Sequence, residues 1–171
     1  MPGFYIRSRI DRPYTVGFLP RFKVFIAYGG RRAMRIAKKM TNCLWQEGLQ
    51  PVIAAPNCRG SIAVVQEELI LREELACDAL LAVNTDESYN RTKFMGEVGR
   101  VVGILPIVGL IEEPGTVLQL LETFSHKVKF RKSRYMNKCE TVASSIRDLI
   151  RTTKAARQVP ASQQIPRRRI T

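Results

Sequence analysis

Glu97 stands between two glycines in the run FMGEVGRVVG, with Phe94 three positions before it and Val101 four after. At helical spacing this places the carboxylate along the apolar side of a helix, and Gly96 and Gly99 remove side-chain bulk around it. A carboxylate beside open space can accept hydrogen bonds from sugar hydroxyls or stabilise a developing oxocarbenium ion, as carboxylates do in glycoside hydrolysis. The same residues also fit a glutamate that complements a helix dipole, with the glycines serving helix packing.

A second group follows the first apolar run. Tyr28, Gly29, Gly30, Arg31 and Arg32 join KVFIAY to a helical pattern. Unpaired N–H groups and the helix dipole favour an anion at such a junction, and two arginines add charge-assisted donors suited to phosphate. An ordinary turn with solvated arginines has the same residues. Neither GxxxxGK[ST] nor GxGxxG is present, which argues against kinase-type phosphoryl transfer and a Rossmann dehydrogenase.

These residues need elements to hold them. KVFIAY (23–28), PVIAA (51–55), DALLAVN (78–84) and ILPIVGLI (104–111) read as short buried strands, and KVKFR (127–131) as a fifth. Between them lie helical patterns: Ala33 to Leu44; a helix capped by Ser61, with Glu67, Glu68, Glu73 and Glu74 largely outside; Phe94 through Val102 and Leu105; a short helix over 114–124; and an amphipathic helix over 138–157. Alternating elements with non-alternating apolar strands predict an α/β fold, a flavodoxin-like doubly wound parallel sheet of about five strands with a basic C-terminal helix and tail. In the strand order 2-1-3-4-5, ligands gather beyond the carboxyl ends of strands one and three. Tyr28 to Arg32, Asn84 to Asn90 and the helix bearing Glu97 converge there.

Several stretches within residues 22–125 carry a resemblance: VFIAYGG, the pattern A-x3-L-x3-GLQPV, QEELILREELACDALLAV, and FMGEVGRVVGILPIVGLI with its E-x-G-x3-G. Together they resemble the TIR-like family of nucleotide-binding domains. The resemblance implies cleavage of the nicotinamide–ribose bond of NAD, with Glu97 catalytic and Tyr28, Gly29, Gly30, Arg31, Arg32, Asn84 and Asp86 lining the nucleotide site. NAD would be substrate or bound ligand, with no further cofactor required, and a homo-oligomer would complete the site. The segment NTDESYNRTKFMGEVGRVVG is also similar to nucleoside deoxyribosyltransferases, in which reading Glu97 attacks the sugar carbon and Asp86 orients the base. Both readings set Glu97 against an N-glycosidic ribose.

Charge divides the chain differently. The net charge is +13, from 28 Lys and Arg against 15 Asp and Glu. Residues 1–22, a basic extension, hold four arginines against Asp11, a net of +3, while residues 126–171 hold thirteen Lys and Arg against Glu140 and Asp148, a net of +11. The body between them is left at −1. Domain boundaries are expected at 23–157, with a mobile basic tail at 158–171.

Lys127, Lys129, Arg131, Lys132 and Arg134, interleaved with Phe130 and Tyr135, could neutralise phosphates and stack on bases, or attract an acidic partner. RNA, ribosome or DNA association through the termini is thus the alternative to catalysis, and a solvated basic face the plainest account. His126 is the only histidine, and the four cysteines, at 43, 58, 77 and 139, form no CxxC pair. No metal site and no disulfide framework are expected, and a cytoplasmic setting is the default. The longest apolar run, VVGILPIVGLI, has 11 residues and contains Pro106, too short for a membrane span.

Overall fold

A computed structural model describes residues 22–53, 70–88, 92–113, 123–131 and 134–158. The strands are β1 (Phe22–Tyr28), β2 (Leu49–Ile53), β3 (Ala79–Asn84), β4 (Ile107–Glu113) and β5 (His126–Arg131); the helices are α1 (Gly30–Gln46), α2 (Thr92–Val101) and α3 (Cys139–Gln158), the last preceded by a 3-10 turn, Arg134–Lys138. Residues 70–75 are also helical. All five strands are parallel, in the order β2-β1-β3-β4-β5. This is the flavodoxin-like α/β sheet that the sequence pattern predicts.

Strand alternation sends successive side chains to opposite faces, and both faces are covered. On one, Val24, Ile26, Leu81, Val83 and Leu110 pack under α1 and α3 through Ile36, Met40, Leu44, Val142 and Ile146. On the other, Phe25, Ala27, Leu80, Ala82 and Ile111 meet Phe94, Val98 and Val101 of α2. Central β3 is buried at every position, which is why DALLAVN has no polar alternation.

Boundaries moved where backbone chemistry overrides the apolar pattern. The helix of Glu97 ends at Val101, short of the expected Val102 and Leu105, because Gly103 adopts φ +78 and turns the chain; Val102 is exposed. The fourth strand therefore begins at Ile107 rather than 104. The second begins two residues early, at Leu49, and carries Pro51 inside it; an edge strand tolerates the missing N–H. Residues 54–55, the start of the Ser61 helix with Glu67 and Glu68, residues 114–122, Lys132, the basic extension through residue 21 and the tail from 159 lie outside the described residues.

Two expectations about side chains are corrected. Glu74 does not face solvent: it is fully buried, with Arg100 at 3.4 Å as counter-charge. Burying a carboxylate is tolerated when a guanidinium accompanies it. And Cys43 and Cys139 form a disulfide across Cα atoms 5.9 Å apart, where no disulfide was expected. Their separation of 96 residues hides the pairing in the sequence, and it arises because α1 and α3 cover the same face of the sheet. Cys77 is a core residue as its position before β3 implies: burial pushes its thiol up to about 12, and the Sγ–H donates to the Glu73 carbonyl at 3.1 Å.

Gly109 admits a close contact within the sheet. A Cβ there would stand 2.8 Å from Phe124 Cε2, so the bare backbone is what lets this ring pack on β4.

Candidate functional site

The strand order reverses between β1 and β3, and in sheets of this kind the carboxyl ends of those two strands are where a crevice is expected. Tyr28 ends β1, and its register partner in β3 is Val83, one residue before Asn84. Strand alternation sets Asn84 on the α2 face with Leu80 and Ala82. Glu97, in the middle of α2, is only 3% exposed, on the apolar side of its helix as its spacing predicts.

Tyr28 and Glu97 interact electrostatically. Burial, and secondarily the Glu97 charge, push the Tyr28 phenol up to about 12. At neutral pH it is a neutral O–H donor, its ring packed with the core under α1 and α3 and within reach of the Glu97 charge.

The glycines beside Glu97 are not there for close packing. A Cβ on Gly99 would meet nothing within 4 Å among the described residues, and one on Gly96 only Arg100 Nη1 at 3.7 Å. Gly99 is exposed, so the free space it leaves lies on the solvent side of α2, while Glu97 points to the buried side.

Asn84 has no exposure, and among the described residues neither its amide nitrogen nor its amide oxygen has a hydrogen-bond partner. A buried amide left unsatisfied costs on the order of 1–3 kcal/mol, so this residue is destabilising in the protein alone.

The two loops that frame the crevice are joined. Ser88 donates its hydroxyl to the Gly29 carbonyl at 3.0 Å and accepts the Thr85 N–H at 3.0 Å. Gly29 is extended and precedes α1 without a side-chain cap; Gly30 follows at φ +89, a conformation suited to glycine. The Glu87 carboxylate lies directly against Gly30.

Arg32 donates to Glu112, which follows the apolar part of β4, while Arg31 is exposed. Burial raises the Glu112 pKa; Arg32 opposes this, and Asp86 and Glu87 add to it. Among the described residues Asp86, Glu87 and Glu112 thus bring negative charge around Arg32. Sequence reasoning placed Tyr28 to Arg32, Asn84, Asp86 and Glu97 here, and all of them come to this end of the sheet. The Asn84 to Asn90 segment expected here contains Glu87 and Ser88, neither given a role of its own, and Glu112 lies outside every expected segment. Glu112 had a readable signal, an acidic residue directly after an apolar strand, whereas the Ser88 and Glu87 contacts depend on loop geometry.

The basic segment is organised differently from the expected stacking surface. Phe130 and Tyr135 are buried against each other edge to face, centroids 5.9 Å apart, and belong to the core. Lys127, Lys129, Arg131 and Arg134 are exposed, and Lys129 pairs with Glu113 at 2.7 Å. Further along, Arg147 meets Glu47 at 3.1 Å and Lys154 meets Asp78 at 2.8 Å. Part of the positive charge is thus engaged within the fold.

His126 is exposed at the start of β5, at the opposite end of the sheet from the crevice. Among the described residues no group of three or more His, Cys, Asp or Glu is disposed to hold a metal ion, and no helix is long and apolar enough to cross a membrane.

No protein-family model matches the sequence, and no curated protein matches it. Among solved structures the chain is similar to the CMP N-glycosidase BcmB of Clostridium botulinum, at 14% identity and a TM-score of 0.53, over 69% of this chain and 98% of that one. It is also similar to the TIR domains of the activated Roq1 resistosome, at 13% identity and a TM-score of 0.44, covering 54% and 58%. A flavodoxin from Pseudomonas aeruginosa aligns at 16% identity and a TM-score of 0.46, covering 75% and 99%. The similarity to BcmB, nearly end to end on that protein, is one of fold, and the fold it shares is the five-stranded sheet described above.

Proposed function

We propose that this chain cleaves the N-glycosidic bond of a nucleoside or nucleotide, with Glu97 as the reacting carboxylate. The observation that carries the reading is a carboxylate, Glu97, buried on the α2 side of the switch point, with its charge felt at the Tyr28 phenol. The fold shared with a CMP N-glycosidase is consistent with it.

In the reaction the Glu97 carboxylate adds to the anomeric carbon as the bond to the base nitrogen breaks and the base leaves with the bonding pair. Water then adds to the anomeric carbon, the bond to Glu97 breaks, the carboxylate is regenerated, and the proton of water passes to solvent. Tyr28 donates its O–H in the crevice and orients Glu97 or the sugar ring oxygen. The fragment released last is a free sugar, or a new nucleoside if a second base adds in place of water.

The nicotinamide–ribose bond, present in NAD, NMN and nicotinamide riboside, is the leading substrate bond. Nicotinamide leaves a pyridinium sugar as a neutral molecule and takes up no proton, which suits a crevice remote from His126. Nucleosides with ordinary bases, cleaved or exchanged, are the alternative within the same chemistry. Incubation with NAD, NMN, nicotinamide riboside and a panel of deoxynucleosides, at dilute and crowded protein, should release base, and Glu97→Gln should abolish release while leaving circular dichroism unchanged. Turnover in no assembled state, or turnover that survives Glu97→Gln, rules the proposal out.

A second reading rests on the exposed Lys127, Arg131 and Arg134. Those residues bind nucleic acid through its phosphates, without base stacking, because Phe130 and Tyr135 are core. Retention on RNA or DNA should fall steeply with salt. Retention unchanged by replacing all three with glutamine would remove this reading.

A further inference from the structure

The sequence places a phosphate at the Gly29–Arg32 loop, yet a carboxylate already lies there. Glu87, from the loop after β3, packs its side chain on Gly30, the first residue of α1: an added Cβ would stand 2.9 Å from Glu87 Cβ and 3.4 Å from its Cδ, with the carboxylate oxygen closer still. α1 has no side-chain cap and no acidic residue in its own first turn, so an anion brought by another element is what its dipole attracts. Arg32, the guanidinium that would hold a phosphate, is engaged by Glu112. Asp86 and Glu87 both add negative potential at Glu112, so the carboxylates act on one another across this rim.

A phosphate arriving here would displace Glu87 and face Asp86 and Glu112. By contrast, the Asn84 amide, without a hydrogen-bond partner among the described residues, is neutral and offers both a donor and an acceptor. Hydroxyls of a sugar, or an amide of a base, satisfy those atoms; a phosphate satisfies the donor alone.

We infer that Glu87 is a specificity determinant that occupies the phosphate position at the start of α1, so that the substrate is a nucleoside-level N-glycoside without a 5′-phosphate. This rests on the proposed N-glycosidic chemistry for the identity of the substrate, while the occupancy of the anion position by Glu87 stands apart from it.

Two measurements on the full chain separate the claims. In the first, inorganic phosphate is titrated at physiological salt and followed at the backbone amides of Gly30 to Ala33 by NMR, in wild-type protein and in Glu87→Gln, which keeps the side chain's size. Glu87 is exposed, so its replacement by glutamine leaves the core intact, and the amide spectrum itself reports folding. Glu87→Gln should bind phosphate roughly tenfold more tightly than wild type, the effect of removing one like charge at a partly solvated site. Equal affinity in the two proteins overturns the inference.

The second compares nicotinamide riboside with NMN, which differ by one phosphate. Wild type should favour the riboside in kcat/KM by about tenfold or more, and Glu87→Gln should narrow the gap by raising the NMN value. A preference for NMN that Glu87→Gln leaves unchanged also overturns the inference. Turnover of neither compound, nor of any other N-glycoside, fells the proposed function, and the phosphate titration still decides the role of Glu87.

Discussion

The Ser88 hydroxyl donates to the Gly29 carbonyl across 3.0 Å, joining residues 59 positions apart and locking the loop after β3 onto the loop after β1. Both partners are buried, and the same oxygen accepts the Thr85 N–H. Ser88→Ala leaves a buried carbonyl and a buried N–H unsatisfied together. The expected loss is about 2 kcal/mol of unfolding free energy. Because the tether frames the crevice, turnover should fall with the fold intact. A denaturation midpoint equal to that of wild type would show that the tether contributes nothing.

The Tyr28 phenol gives a spectroscopic handle on Glu97. Its pKa is pushed from the ordinary 10.0 up to about 12, first by burial and then by the Glu97 charge. Absorbance of phenolate, taken as wild type minus Tyr28→Phe, should therefore rise late in an alkaline titration. Glu97→Gln should bring the transition down, though not to 10.0, since burial remains. The sign for stability follows. A pKa raised by folding means that the folded state resists losing the proton, so this group has no effect on stability below its unfolded pKa of 10.0. It costs stability as pH rises from there toward about 12. Tyr28→Phe should lose that alkaline slope. A phenolate transition near 10.0 in wild type would separate Tyr28 from Glu97.

The disulfide between Cys43 and Cys139 ties α1 to the start of α3 across 96 residues of sequence. Closing a loop of that length lowers the entropy of the unfolded chain, an effect worth about 4 kcal/mol in the chain-entropy account. Reduction should lower the denaturant midpoint accordingly, and Cys43→Ala should be insensitive to reductant. Thiol counting on unfolded protein without reductant provides the direct check: no more than two free thiols are expected of the four cysteines, Cys77 among them. Four free thiols with an unaltered midpoint would contradict the bond.

The parallel sheet was legible because its signal is carried by local pattern: five short apolar runs with helical periods between them leave few arrangements, and right-handed crossovers order them. Glu97 was legible for the same reason, as its burial follows from Phe94 and Val101 on its own helix. What escaped depends on partners distant in sequence. Glu74 looked like a solvent-facing residue among glutamates until Arg100, 26 positions on, supplied its counter-charge. Phe130 and Tyr135 looked like stacking platforms among lysines, since a basic edge strand with one buried face reads as an alternation of charge and aromatic whichever way its aromatics point. Glu87 was one acid in a polar loop. Its place against Gly30 is set by a glycine at positive φ, the Ser88 tether and the meeting of two crossovers, none of which has a periodic signature.

Asn84 offers a test in which stability and function must move in opposite directions. Its amide is fully buried and has no hydrogen-bond partner among the described residues, at the end of a strand whose other residues are all apolar. Were it only a core residue, Asn84→Leu, similar in branching, would change little beyond packing. As a ligand-binding group held in readiness, the amide is a cost to the free protein that a substrate offsets. Asn84→Leu should then raise the unfolding free energy by about 1 kcal/mol, the relief of an unsatisfied buried amide less some strain from added volume. It should also raise KM or abolish binding of nicotinamide riboside, and remove any thermal stabilisation that this compound gives to wild type. Asn84→Asp, which keeps the shape and adds a buried charge, should lose both stability and binding. A leucine variant that is more stable and equally active would reduce Asn84 to a packing defect; one that is less stable would mean that the amide is satisfied in solution by water.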